Sequence, residues 1–126
     1  MTSLNARSIG LALLAPAALL GVASQAQAHA HLISANPAPN ATVAAGVKAI
    51  ALHFSEAPMT RFSGVDLMAA GGAKVAAMPA SVAPKDRKTL TIALKTPLAP
   101  GAYKVNWRAV TADTHRVQGS YSFKVR

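Results

Sequence analysis

The chain has 126 residues, of which 52% are hydrophobic, no cysteine, and a formal net charge of +9. This length suits one small domain, and the lack of cysteine excludes disulfides and thiolate metal ligands. The basic residues are spread singly except at residues 85–88, where Asp86 interrupts them, and only 5% of residues are aromatic. We therefore expect no nucleic-acid partner.

Residues 1–28 have the pattern of a secretory signal peptide. Arg7 precedes an uncharged apolar run over residues 9–22, and alanines at 26 and 28 form an A-x-A processing site. The run is shorter than the roughly 20 apolar residues that span a bilayer. We expect cleavage after Ala28, export to the periplasm, and no membrane insertion of the remaining chain.

Cleavage after Ala28 leaves one domain over residues 29–126 with His29 as its first residue. The α-amine and imidazole of a terminal histidine form a chelating pair, so processing itself would create half of a metal site. Cleavage after Ala30 would instead make His31 the first residue, and the sequence leaves this choice open.

Short segments of alternating hydrophobicity follow. The Gly71-Gly72 pair indicates a hairpin turn into residues 73–78, whereas residues 79–84 read as irregular. Candidate strands cover residues 31–34, 48–55, 62–68, 73–78, 89–94, 103–108 and 120–126. About seven strands at this spacing predict an all-β fold, a Greek-key antiparallel β-sandwich or barrel.

The pair Asp113 and His115 is the main candidate for chemistry. In an extended segment, residues two apart point to the same side, so a carboxylate and an imidazole would converge there. With the amine and imidazole of His29 this makes four nitrogen and oxygen donors. Such a set suits tetragonal Cu(II), although zinc would accept three of these ligands tetrahedrally. His53 lies on the outer face of its strand and reads as structural.

The run GAYKVNWRAVTADTH over residues 101–115 resembles the signature of the CopC family of periplasmic copper-binding proteins. HAHL at residues 29–32 and LHFSE at residues 52–56 match the same family. The resemblance implies a cupredoxin-like or immunoglobulin-like fold and a Cu(II) site formed by His29, Asp113 and His115. It also implies a partner, an inner-membrane copper protein of the CopD type.

Two features leave alternatives. Some family members add a methionine-rich Cu(I) loop, but residues 66–79 hold only Met68 and Met78 and no histidine, so we expect a protein that binds only Cu(II). His31 is a possible additional ligand, because a free His29-Ala30-His31 terminus can bind Cu(II) through its amine, two amides and the third imidazole.

The leading functional prediction is therefore a non-enzymatic periplasmic protein that sequesters or delivers Cu(II) in copper tolerance or homeostasis. One alternative is an oxidative enzyme with a copper histidine brace, which needs an open coordination position and a broad substrate platform. Another alternative is a metal-free β-sandwich used for interaction. Only the first two predict that binding depends on the terminal histidine.

Overall fold

The computed structural model describes residues 29–126, so the expected signal peptide and its cleavage site lie outside the described residues. Within this range all regular structure is β-strand, and no helix is long and apolar enough to cross a membrane. The eight strands are β1 (Leu32–Asn36), β2 (Thr42–Val43), β3 (Ala49–Phe54), β4 (Gly64–Ala69), β5 (Ser81–Ala83), β6 (Asp86–Ala93), β7 (Gly101–Val110) and β8 (Arg116–Val125).

The strands form two four-stranded sheets, ordered β1-β3-β6-β5 and β2-β8-β7-β4. Alternate residues of both sheets supply one hydrophobic core, as expected when two sheets bury their inner faces against each other. In β3, for example, Ile50, Leu52 and Phe54 are fully buried while His53 is only half-buried. The predicted β-sandwich is therefore confirmed.

The pairing of β7 with β8 is the longest among residues 29–126. It runs through ten residue pairs, from Gly101 opposite Val125 to Val110 opposite Arg116. On its inner face Trp107 packs edge-on against Phe54 of the other sheet, with ring centroids 5.2 Å apart. This hairpin therefore holds the short connection at residues 111–115 at a fixed place at one end of the sandwich.

Two details of the middle of the chain differ from the sequence prediction. Residues 73–78 do not form a strand: they make one bridge from Lys74 to Met68 of β4 and one from Ala77 to Leu94, just after β6. Because the segment crosses from one sheet to the other, it cannot pair along its length with either. Residues 81–83, expected to be irregular, instead form the edge strand β5 beside β6.

One edge of the second sheet adds a parallel pair to the antiparallel pairing expected from the sequence. β2 pairs in parallel with the end of β8, with Thr42 opposite Lys124 and Val43 opposite Val125. After β1 the chain turns at Asn40, whose φ is 62°. The backbone N–H of Asn40 donates to Ser122 O. The chain thus moves from the first sheet to the second, and a two-residue strand is too short to show alternation in the sequence.

Gly119 of β8 lies directly opposite Trp107, and a Cβ there would stand 2.5 Å from an indole carbon. Gly64 of β4 offers a matched control, since its Cβ would meet the guanidinium of Arg108 at the same distance, and that flexible group can move away. We expect Gly119→Ala to lower the free energy of unfolding by about 1–3 kcal/mol, in the range of overpacked cores.

Urea unfolding of both variants measures this difference. Gly64→Ala is expected to cost clearly less, and equal losses at both positions would contradict the packing role of the Trp107 ring over Gly119.

Candidate metal centre

The connection between β7 and β8 is a tight turn. The Thr114 N–H donates to Thr111 O at 2.9 Å, and the Thr111 N–H donates to His115 O at 3.2 Å. Thr114 has a φ of 65°, which is uncommon for a β-branched residue and is found where surrounding structure holds the backbone in place. Asp113 and His115 therefore converge because the chain turns, whereas the sequence prediction assumed an extended segment.

The two side chains face each other at the surface. Nδ1 of His115 lies 2.7 Å from Oδ2 of Asp113, and the side chains are 56% and 43% exposed. Two donors at right angles about one ion, each about 2.0–2.1 Å from it, would be about 2.9 Å apart. The observed 2.7 Å is the length of a hydrogen bond between the two groups, and it is close to the spacing of two neighbouring ligands of one metal ion.

The other carboxylate oxygen is bound by the protein. Oδ1 of Asp113 accepts a hydrogen bond from the hydroxyl of Thr111 and a longer one, 3.4 Å, from the His115 backbone N–H. The Thr111 hydrogen bond, followed by that of the His115 side chain, lowers the pKa of the Asp113 carboxyl from 3.8 to about 2. The carboxylate is therefore charged over the whole physiological range, as a metal ligand must be.

His29 lies beside this pair. Its ring packs edge-on against the ring of His115, with centroids 4.6 Å apart and planes at 80°. The next residues fix this position: Ala30 is only 4% exposed, and the His31 backbone makes two hydrogen bonds with Ser55, one to its hydroxyl and one from its N–H. The structure thus places His29 against His115 and His115 against Asp113, so His115 is the residue that links the three named from the sequence.

His31 is held differently. Its backbone N–H donates to Ser55 Oγ at 3.0 Å, and its carbonyl accepts from the Ser55 N–H at 2.9 Å. Within residues 29–126, no hydrogen bond or ring contact joins its side chain to Asp113 or His115. Binding of Cu(II) by the terminal three residues would need the His31 amide nitrogen, so it would break the contact with Ser55.

Across residues 29–126, no group of three or more His, Cys, Asp or Glu side chains is close enough to hold a metal ion. A terminal amine is a donor outside this set of side chains. The α-amine that cleavage before His29 would create is such a donor, and it belongs to a residue already in contact with His115.

The remaining histidine, His53, makes its side-chain hydrogen bond away from Asp113 and His115. Its Nδ1 is 2.9 Å from the Thr89 hydroxyl, which in turn donates to Asp86 Oδ2 at 2.6 Å. This chain of contacts ties β3 to the start of β6 and agrees with the structural reading of His53.

Comparison with known proteins places these residues in a family. The family model described as CopC domain matches residues 32–126. The chain belongs to the CopC family. Copper resistance protein C of Pseudomonas syringae pv. tomato is 44% identical over 110 residues, which cover 83% of this chain and 86% of that protein.

A solved structure and a larger relative are also similar to this chain. PcoC, described as a methionine-rich copper resistance protein from Escherichia coli, superposes with a TM-score of 0.71 at 38% identity, covering 79% of this chain and all of PcoC. The copper transport protein CutJ of Bacillus subtilis is 24% identical over 98 residues, which make up 78% of this chain but only 18% of CutJ.

Sequence reasoning missed Thr111. It is 2% exposed, and its hydroxyl, amide and carbonyl all bond within the turn. A threonine after a strand ending in two small apolar residues gives no signal by itself. Only its position two residues before an aspartate, at the end of a buried strand, could have suggested it.

The lowered pKa of Asp113 has a consequence for the metal-free protein. A carboxyl with a depressed pKa stabilises the fold above its unfolded pKa, near 3.9, and this contribution is lost as pH falls through about 2. We expect the stability difference between the native protein and Asp113→Asn to be constant above pH 5 and to shrink between pH 4 and 2.

Carbon NMR of the Asp113 carboxyl and urea unfolding at several pH values measure the two effects. A carboxyl that titrates at its ordinary 3.8 would contradict the hydrogen bonds described here.

Proposed function

We propose that this protein is a periplasmic copper-binding protein that sequesters or delivers Cu(II) in copper tolerance or homeostasis. The observation that carries the proposal is the contact of His29 with His115, whose imidazole also faces Asp113, at the end of the β7–β8 hairpin. The names of its relatives, which are copper resistance and copper transport proteins, support copper as the metal.

The donor chemistry supports Cu(II) in particular. Imidazole nitrogens, a carboxylate oxygen and an amine form a nitrogen and oxygen set, and Cu(II) binds such sets most tightly among the common divalent ions. His29, Asp113 and His115 would hold the ion, and the α-amine of His29 would complete the set. Because a free amine has a pKa near 8 and must lose its proton to bind, affinity should fall with falling pH.

Residues 66–79, where some family members have a Cu(I) site, lack the ligands for one. This supports a protein that binds only Cu(II). Asp66 of β4 forms salt bridges with Lys74 at 2.9 Å and with Arg108 at 3.3 Å, so charged side chains occupy this region. Met78 is 52% exposed. Cu(I) requires several thioethers together, and PcoC is described as methionine-rich, whereas this chain has four methionines in all.

A CopD-type inner-membrane copper protein remains the proposed partner. CutJ supports it indirectly, because a region similar to this chain makes up less than one fifth of that copper transport protein. In CutJ a region similar to this chain is part of one longer chain. We propose that here the small domain passes copper to a separate membrane protein.

The role of the terminal amine is tested with protein purified from the periplasm. Mass spectrometry should show a chain that begins at His29. One alanine added before His29 should weaken Cu(II) binding at least about 100-fold. Loss of a partner outside the ligands typically lowers metal affinity about 10- to 100-fold, and loss of a ligand should lower it more. One alanine added after Arg126 is the control, and equal binding by the two extended chains would overturn the proposed site.

A second test separates the two ways of binding Cu(II). In the folded site His115→Ala removes a ligand and should abolish tight one-to-one binding, whereas His31→Ala should leave the affinity within a few-fold of the native value. Competition titration and EPR measure both. The opposite pattern would show that the terminal three residues bind the metal without Asp113 and His115.

The same copper-loaded protein tests the enzymatic alternative. The named relatives are copper resistance and copper transport proteins, which favours binding over catalysis. We expect no oxidative cleavage of polysaccharide in the presence of reductant and peroxide.

A further inference from the structure

The side chain of Thr111 places a hydroxyl in a buried position. Thr111 follows β7 directly and is 2% exposed. Burying a hydroxyl costs free energy unless it finds a hydrogen-bond partner. Among residues 29–126 its side-chain partner is Oδ1 of Asp113, and hydrogen bonds to a charged acceptor are the stronger kind.

The contacts of Asp113 divide its two oxygens between different tasks. Oδ1 accepts from the Thr111 hydroxyl and from the His115 backbone N–H, so it faces the protein. Oδ2 lies 2.7 Å from Nδ1 of His115, so it faces the imidazole. Rotation of the carboxylate would break the hydrogen bond to Thr111.

We infer that Thr111 is a positioning residue of the copper site, which fixes the Asp113 carboxylate so that Oδ2 alone is presented beside His115. This inference rests on the proposed function. It assigns Asp113 the role of a one-oxygen ligand, because its second oxygen accepts the hydrogen bond of the buried Thr111 hydroxyl.

The backbone of Thr111 makes the role of its hydroxyl separable from the turn itself. The Thr111 N–H and carbonyl close the turn through His115 and Thr114, and both remain in any variant except proline. A change confined to the side chain therefore tests the positioning of the carboxylate rather than the existence of the turn.

The test compares Thr111→Val with Thr111→Ser in the protein purified from the periplasm. Valine keeps the shape but lacks the hydroxyl, whereas serine keeps the hydroxyl and loses a methyl group. We expect Thr111→Val to bind Cu(II) about 10- to 100-fold more weakly, as for other outer-sphere partners, with an altered EPR spectrum. Thr111→Ser should restore the native spectrum and most of the affinity.

Thermal unfolding of the metal-free variants verifies that each is folded, and Thr111→Ala supplies a second variant without the hydroxyl if valine does not fold. Native affinity and spectrum in Thr111→Val would overturn the role of Thr111, and so would equal weakening by valine and serine. Failure of the native protein to bind Cu(II) would instead overturn the proposed function, and tight binding that survives His115→Ala would overturn the proposed ligands.

Discussion

The pairing of β7 with β8 is the constraint on which the candidate site depends. Ten consecutive residue pairs hold the two strands in one register, so the turn between them has little freedom. The buried end of β7 carries Thr111 into the interior, and the turn that follows returns Asp113 and His115 to the surface. A shift of one residue in this register would exchange the inner and outer faces and separate the pair from Thr111.

The site also joins the two sheets. Asp113 and His115 belong to the connection between strands of the second sheet, whereas His29 precedes β1 of the first. Ser55, which follows β3, holds the chain at His31, and so the first sheet positions His29 beside His115. The proposed donors therefore come close only when both sheets have formed and packed, so binding of a metal at this site would be coupled to folding.

Much of this arrangement could be predicted from the sequence, because alternation in β3, β7 and β8 directly reflects burial of one face. The strands β2 and β5 could not be predicted in this way, because two or three residues are too few to show alternation of apolar and polar side chains. The convergence of Asp113 with His115 was predicted on the wrong geometry: the φ of 65° at Thr114 is set by hydrogen bonds of the turn, which composition does not reveal.

The division of labour around Asp113 explains how an exposed carboxylate can be preorganised. A surface aspartate is ordinarily free to rotate, and fixing it costs conformational entropy each time a ligand binds. Here folding already fixes the Asp113 carboxylate, because the buried Thr111 hydroxyl would have no hydrogen-bond partner without it. The entropy of the carboxylate is therefore lost on folding and not on binding. One hydrogen bond, from Thr111 to Asp113, thus links the buried interior to the proposed metal site. The same hydrogen bond lowers the pKa of the Asp113 carboxyl and keeps it charged.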